Sequence, residues 1–196
     1  MVTPISYITK SSDGGGTAQI LGNRLDLLGS DGARSAILDH NFIDSQLTQN
    51  GEFSMCMTVT PLTETARFAL ALGQTSSDAG ASFPTTHPGT DIGLRLTANL
   101  GASPNDDSNT DFVGVYDSNP QPGGFYQLLM TVTTDNFASG TGFAADLFID
   151  DAQIGSTFNS SWDSAGDNYI SFSALDGRFA MDDLKIFAGL ATSCGT

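Results

Sequence analysis

The chain has 196 residues, 22 of them acidic and 7 basic, for a formal charge of −15. That length suits one domain, residues 1–196, with room for a substantial core. No apolar run approaches the roughly 20 residues of a membrane-crossing helix, and the acidic excess repels phosphate backbones and anionic lipid, which argues against nucleic-acid partners and membrane insertion.

Glu occurs only at Glu52 and Glu64, so nearly all the acids are Asp. Asp, Asn and Gly serve turns better than helices, because their short side chains bond the local backbone or accept φ > 0 cheaply. Residues 24–28 and 35–38 are the first short alternating segments, and 44–50 is the one stretch read as a helical turn. In residues 53–60, Phe53, Met55, Met57 and Val59 share one face, and Ser54, Cys56, Thr58 and Thr60 share the other. That period of two marks a strand with one side in a core. Residues 67–72, 91–97, 112–116 and 126–133 repeat it, the last with Tyr126, Leu128, Met130 and Val132 in phase. The stretches 74–90 and 99–111 read as long irregular loops, the kind that tends to carry function. Residues 145–149 lead into Asp150-Asp151, where a two-residue hairpin turn falls, and 169–173 form another strand. Asp31-Gly32, Asn50-Gly51, Gly123-Gly124 and Asp176-Gly177 supply further turns. The final strand changes phase: Phe179 and Met181 match one face, and Leu184 and Ile186 the other. One extra residue at Asp182-Asp183, a β-bulge, restores a single inward face. Ten or more short strands predict an all-β, antiparallel β-sandwich.

Cys56 and Cys194 fit no metal spacing; either they pair, tying the tail to the sandwich, or both stay free thiols. The Met1-Val-Thr-Pro-Ile start shows no signal peptide. Asp107, Asn109 and Asp111 alternate within Asp106-Asp-Ser-Asn-Thr-Asp111 and offer the oxygens that calcium requires. The competing reading is a metal-free polar turn. For sugar recognition, Trp162 in Asn159-Ser-Ser-Trp-Asp163 is the first stacking platform, unless it instead closes one end of the sandwich. Tyr116 and Tyr126 are further platforms. Asn159, Asp163, Asp167 and Asn168 are candidates for bonds to sugar hydroxyls.

The segments Phe125-Tyr-Gln-Leu-Leu-Met-Thr-Val, Ala145-Asp-Leu-Phe-Ile-Asp-Asp-Ala-Gln-Ile and Arg178-Phe-Ala-Met-Asp-Asp-Leu-Lys-Ile-Phe187 form a recognisable series. The series resembles laminin G-like domains of the concanavalin A-like jelly-roll superfamily, well over 125–187 and in outline before that. Asp150-Asp151 departs from the Asp-Gly usual at that hairpin. The resemblance implies two curved antiparallel sheets and a non-catalytic, extracellular module that grips a polysaccharide or other glycan. By the same analogy Asp182 or Asp183 in the last strand holds a structural Ca²⁺. Glucanases of this superfamily carry their carboxylates in a Glu-x-Asp-x-x-Glu run, which Glu52 and Glu64 do not form. Its polysaccharide lyases use a Tyr/His pair, and His40 and His87 sit in no such setting. Two alternatives stand beside the binding module. One is a structural virion or appendage protein; the other is a lyase or glycosidase with an unrecognised site.

Overall fold

The computed structural model describes residues 7–11, 16–30, 34–42, 51–64, 66–74, 91–97, 101–105, 122–162 and 168–195. Among them, every regular element is a strand: β1 Tyr7–Ser11, β2 Gly16–Leu21, β3 Arg24–Gly29, β4 Arg34–Leu38, β5 Glu52–Pro61, β6 Arg67–Gln74 and β7 Ile92–Thr97, followed by β8 Gly101–Asn105, β9 Tyr126–Thr134, β10 Gly142–Ile149, β11 Ala152–Gln153, β12 Phe158–Ser161, β13 Tyr169–Leu175 and β14 Gly177–Ala188. They form two antiparallel sheets. One runs β1-β4-β13-β6-β7-β8; the other runs β11-β10-β9-β5-β14-β3-β2, with β12 also paired to β10. No described helix is long and apolar enough to cross a membrane.

The alternation in the sequence becomes the core. Phe53, Met55, Met57 and Val59 of β5, with Leu128, Met130 and Val132 of β9, face Phe68, Leu70 and Leu72 of β6 and Phe172 of β13 in one apolar cluster. Phe68 meets Phe172 within its own sheet at a ring separation of 6.4 Å and Phe179 of the facing sheet at 5.6 Å, so an aromatic contact bridges the sheets.

The stretch 99–111, read above as irregular, contains β8. Its Gly-Ala-Ser-Pro-Asn sequence has little strand propensity, and β8 is a strand because β7 supplies a pairing edge from Thr97↔Gly101 to Gly93↔Asn105. Residues 44–50 and 112–116 lie outside the described residues. Asp150 and Asp151 both take φ > 0 (49° and 64°), the geometry of the two-residue hairpin expected there.

Past β14 the chain folds back. Gly189, at φ 88°, makes the reversal that a Cβ would strain, and its N–H donates to Glu52 O at 2.8 Å. The returning tail lies against the outward side of β5. Ser54 Oγ donates to Gly189 O (2.7 Å) and accepts from Ala191 N–H (2.8 Å). Farther on, Cys194 is disulfide-bonded to Cys56 with a Cα separation of 5.5 Å, so the paired alternative is the one adopted. We call residues 189–195 the C-terminal hook.

Candidate functional site

The phase change in the last strand is a β-bulge. Asp182 pairs with Thr58 and Lys185 with Cys56, so Asp183 and Leu184 together stand opposite Met57. Asp183 absorbs the extra residue in the left-handed region, at φ 53°, and its N–H donates to Asp182 Oδ1 at 2.9 Å. Leu184 and Ile186 thereby return to the core, while Asp182, Asp183 and Lys185 are exposed. The β3 partnership ends at Met181↔Leu25, just before the β2–β3 turn. Both devices leave the two carboxylates in open relief on the outer side of the larger sheet.

Three shallow depressions meet at this point. One of about 120 Å³ lies between Asp182, Asp183, Arg24, Thr58, Thr60 and Phe125. A second, of about 160 Å³, is walled by Asp183, Lys185, Gln127 and the Cys56–Cys194 disulfide. A third, of about 270 Å³, runs from Asp182 and Asp183 to Ile20 and Asn23. Phe125 is 74% exposed, the barest large apolar side chain described. Its segment is anchored where Gly123 N–H donates to Pro61 O at 2.7 Å. An open aromatic ring next to two carboxylates, two threonines and an arginine offers an apolar stacking face with a polar rim of hydrogen-bonding groups.

The ligand candidates from the sequence do not converge. Trp162 is 1% exposed and its ring packs on Phe143 and Phe137 at 4.5 and 5.0 Å. Its Nε1–H donates to Thr134 Oγ1 at 2.9 Å. It closes the core and presents no stacking face, so it is not the sugar platform that its sequence setting suggests. Its polar neighbours in sequence concealed this, because burial is decided by what packs across space. Tyr126 is half-buried against the core rather than open. Asn159 is exposed on β12 and donates to Thr157 O at 3.3 Å. It pairs with Ala144, which pairs with Thr133, so it sits at the far end of β9 from Tyr126. At a rise of roughly 3.4 Å per residue the two are about 24 Å apart. Asn168 is buried, accepts from Gly73 N–H at 2.9 Å through Oδ1, and belongs to the framework. Tyr116, Asp163 and Asp167 lie outside the described residues.

Of the metal candidates, Asp107, Asn109 and Asp111 also lie outside them. Asp183 has Asp182 as its acidic neighbour at the bulge, and no group of three or more metal-ligating side chains is gathered among the described residues. Phe125, exposed beside these carboxylates, is a residue the sequence reading did not single out. The phase of β9 points Tyr126 inward and therefore Phe125 outward, which was the available signal.

No protein-family model matches the chain, and no curated protein sequence does. Solved structures do match it. The metal-free form of lectin I-B4 from Griffonia simplicifolia aligns over 94% of both chains with a TM-score of 0.55 at 15% identity. A protein of unknown function with a galectin-like fold from Bacillus subtilis aligns over 92% of this chain and 88% of its own, with a TM-score of 0.59 at 13% identity. A legume lectin-like domain from Entamoeba histolytica aligns over 93% and 90%, with a TM-score of 0.53 at 11% identity. The chain thus has the concanavalin A-like jelly-roll fold.

Proposed function

We propose that this protein is a non-catalytic glycan-binding module whose ligand lies across the bulge of β14. The observation that carries the reading is Phe125, 74% exposed and sharing a depression with Asp182, Asp183, Thr58, Thr60 and Arg24. Stacking on the ring and hydrogen bonds to the rim together hold a pyranose without needing a deep cleft. A charge of −15 with two carboxylates at the site favours neutral polysaccharides over polyuronates, which would be repelled. The Griffonia lectin and the Entamoeba lectin-like domain, which share the fold, support the class but not the ligand. An extracellular setting accords with the Cys56–Cys194 disulfide, a bond kept in oxidising compartments. Calcium belongs to the proposal only at Asp107, Asn109 and Asp111, as a stiffener of the segment after β8.

Affinity electrophoresis through galactomannan, arabinogalactan and alginate tests this. Retardation is expected in at least one neutral gel and not in alginate, and Phe125→Ala should weaken it at least tenfold while melting as the parent does. Free migration in all the gels, or retardation indifferent to Phe125→Ala, removes the site.

A further inference from the structure

By strand phase, Ser54, Cys56, Leu129 and Thr131 point away from the core, paired as Ser54↔Thr131 and Cys56↔Leu129. An outward face of an open antiparallel sheet is expected to be wet, yet these four residues are 0%, 1%, 3% and 6% exposed. The hook accounts for the β5 half of this strip and reaches the backbone of β9. Ser54 is held between Gly189 and Ala191, Cys56 is bonded to Cys194, and Cys194 Sγ lies 3.4 Å from Leu128 O. The covered strip borders the bulge, because the disulfide itself walls the depression that Asp183, Lys185 and Gln127 share.

We infer that the Cys56–Cys194 disulfide is a redox latch: its reduction releases the C-terminal hook and extends the ligand face from the bulge along β5 and β9. Cys194 is half-buried, whereas Cys56 is sealed, so an incoming dithiol reaches the Cys194 sulfur. A thiolate of the dithiol attacks Cys194 Sγ, the S–S bond breaks, and Cys56 leaves as a thiolate that takes a proton. The second thiol of the dithiol then displaces Cys194, which is protonated in turn. The dithiol ends as a disulfide, and two electrons and two protons have passed to the protein. Among the described residues, the hydrogen bonds left to hold the hook are the pair at Ser54, the Gly189 N–H bond and the Cys194 Sγ contact with Leu128 O, each a modest contribution. The sandwich does not depend on it, since the apolar cluster between the sheets contains no hook residue.

The opening stands on the hook geometry alone; the extension of the face rests on the glycan reading above. The test compares the oxidised full chain, the chain in dithiothreitol, Cys194→Ser, and the double variant Cys56→Ser/Cys194→Ser, by hydrogen exchange and by galactomannan affinity electrophoresis. Reduction should speed exchange at residues 189–195 at least tenfold and raise it at 127–131, leaving β6 and β13 protected. Both variants should reproduce this without reductant, and retention should tighten at least threefold. Unchanged exchange in the tail overturns the latch. So does loss of protection throughout both sheets, which would make the bond a global staple. Opening with unchanged retention overturns the extended face. If no form binds any gel, the glycan reading has failed instead, and the exchange result alone decides the latch.

Discussion

Arg178 closes over Asp26 with two parallel hydrogen bonds, Nε–H to Oδ1 at 2.7 Å and Nη2–H to Oδ2 at 2.8 Å, and Asp26 keeps no exposed surface. Asp26 lies on β3 and Arg178 on β14, which are neighbours in the sheet. The planar fork matches the carboxylate, which a lysine could not do.

Removing the cation strands a buried charge, so Arg178→Ala should lower unfolding stability by about 3 kcal/mol. Arg178→Lys should recover less than half, and urea melts measure both. The hydrogen bond to Asp26, and then its charge, raise the Arg178 pKa above its ordinary value. A raised folded-state value means that this contribution is complete below the unfolded pKa and is lost only as pH climbs through the folded one. Deprotonation of Arg178 therefore costs no stability anywhere between pH 5 and 9, and the wild-type minus Arg178→Ala difference should not fall as the pH is raised across that range.

Trp162 separates core from ligand site. Trp162→Ala should cost about 3–5 kcal/mol, from the cavity beside Phe143 and the lost bond to Thr134. The milder Trp162→Phe should melt lower but retain galactomannan as the parent does. A specific loss of retention in Trp162→Phe, with the fold intact by circular dichroism, would restore Trp162 to the binding surface.

Asp183 carries a conformational cost that glycine would not. At φ 53°, Asp183→Gly should raise stability by about 0.5–1 kcal/mol, while the missing carboxylate weakens glycan retention. Asp183→Val should lose both. Chemical denaturation with affinity electrophoresis on the same samples resolves the two effects.

Calcium provides an independent check on the segment after β8. On the proposal that Asp107, Asn109 and Asp111 hold calcium, a hundredfold excess over its dissociation constant should add about 2.7 kcal/mol, or roughly 5–10 °C in melting temperature for a chain of this size. The rise should vanish on chelation and in Asp107→Asn/Asp111→Asn. A parent indifferent to calcium in differential scanning fluorimetry removes the metal.

Strands with strong alternation were legible from sequence because one pattern served both local geometry and burial. The segment 126–133 appears as Tyr126–Thr134, and 53–60 as Glu52–Pro61. The bulge was legible too, since two apolar pairs out of phase admit few other solutions. Strands β1, β2, β8 and β12 were not. Phe158–Ser161 reads Phe-Asn-Ser-Ser, and only its pairing with Gly142–Ala145 explains its conformation. Around the bulge less was legible: Asp183 stands out in the sequence only as a calcium ligand by analogy, and nothing local marks Phe125 as a site residue, since its place beside Asp182 and Asp183 follows from how β9 and β14 are brought together.

The extra residue at Asp183 also fixes the length of the last strand. Loss of that single codon would pair Leu184 alone with Met57 and keep Lys185 opposite Cys56, so Leu184 and Ile186 would still face the core along a regular strand and only the bulge would vanish. The core therefore closes with or without residue 183, and what the insertion adds is confined to the outer surface that Asp182 and Asp183 shape.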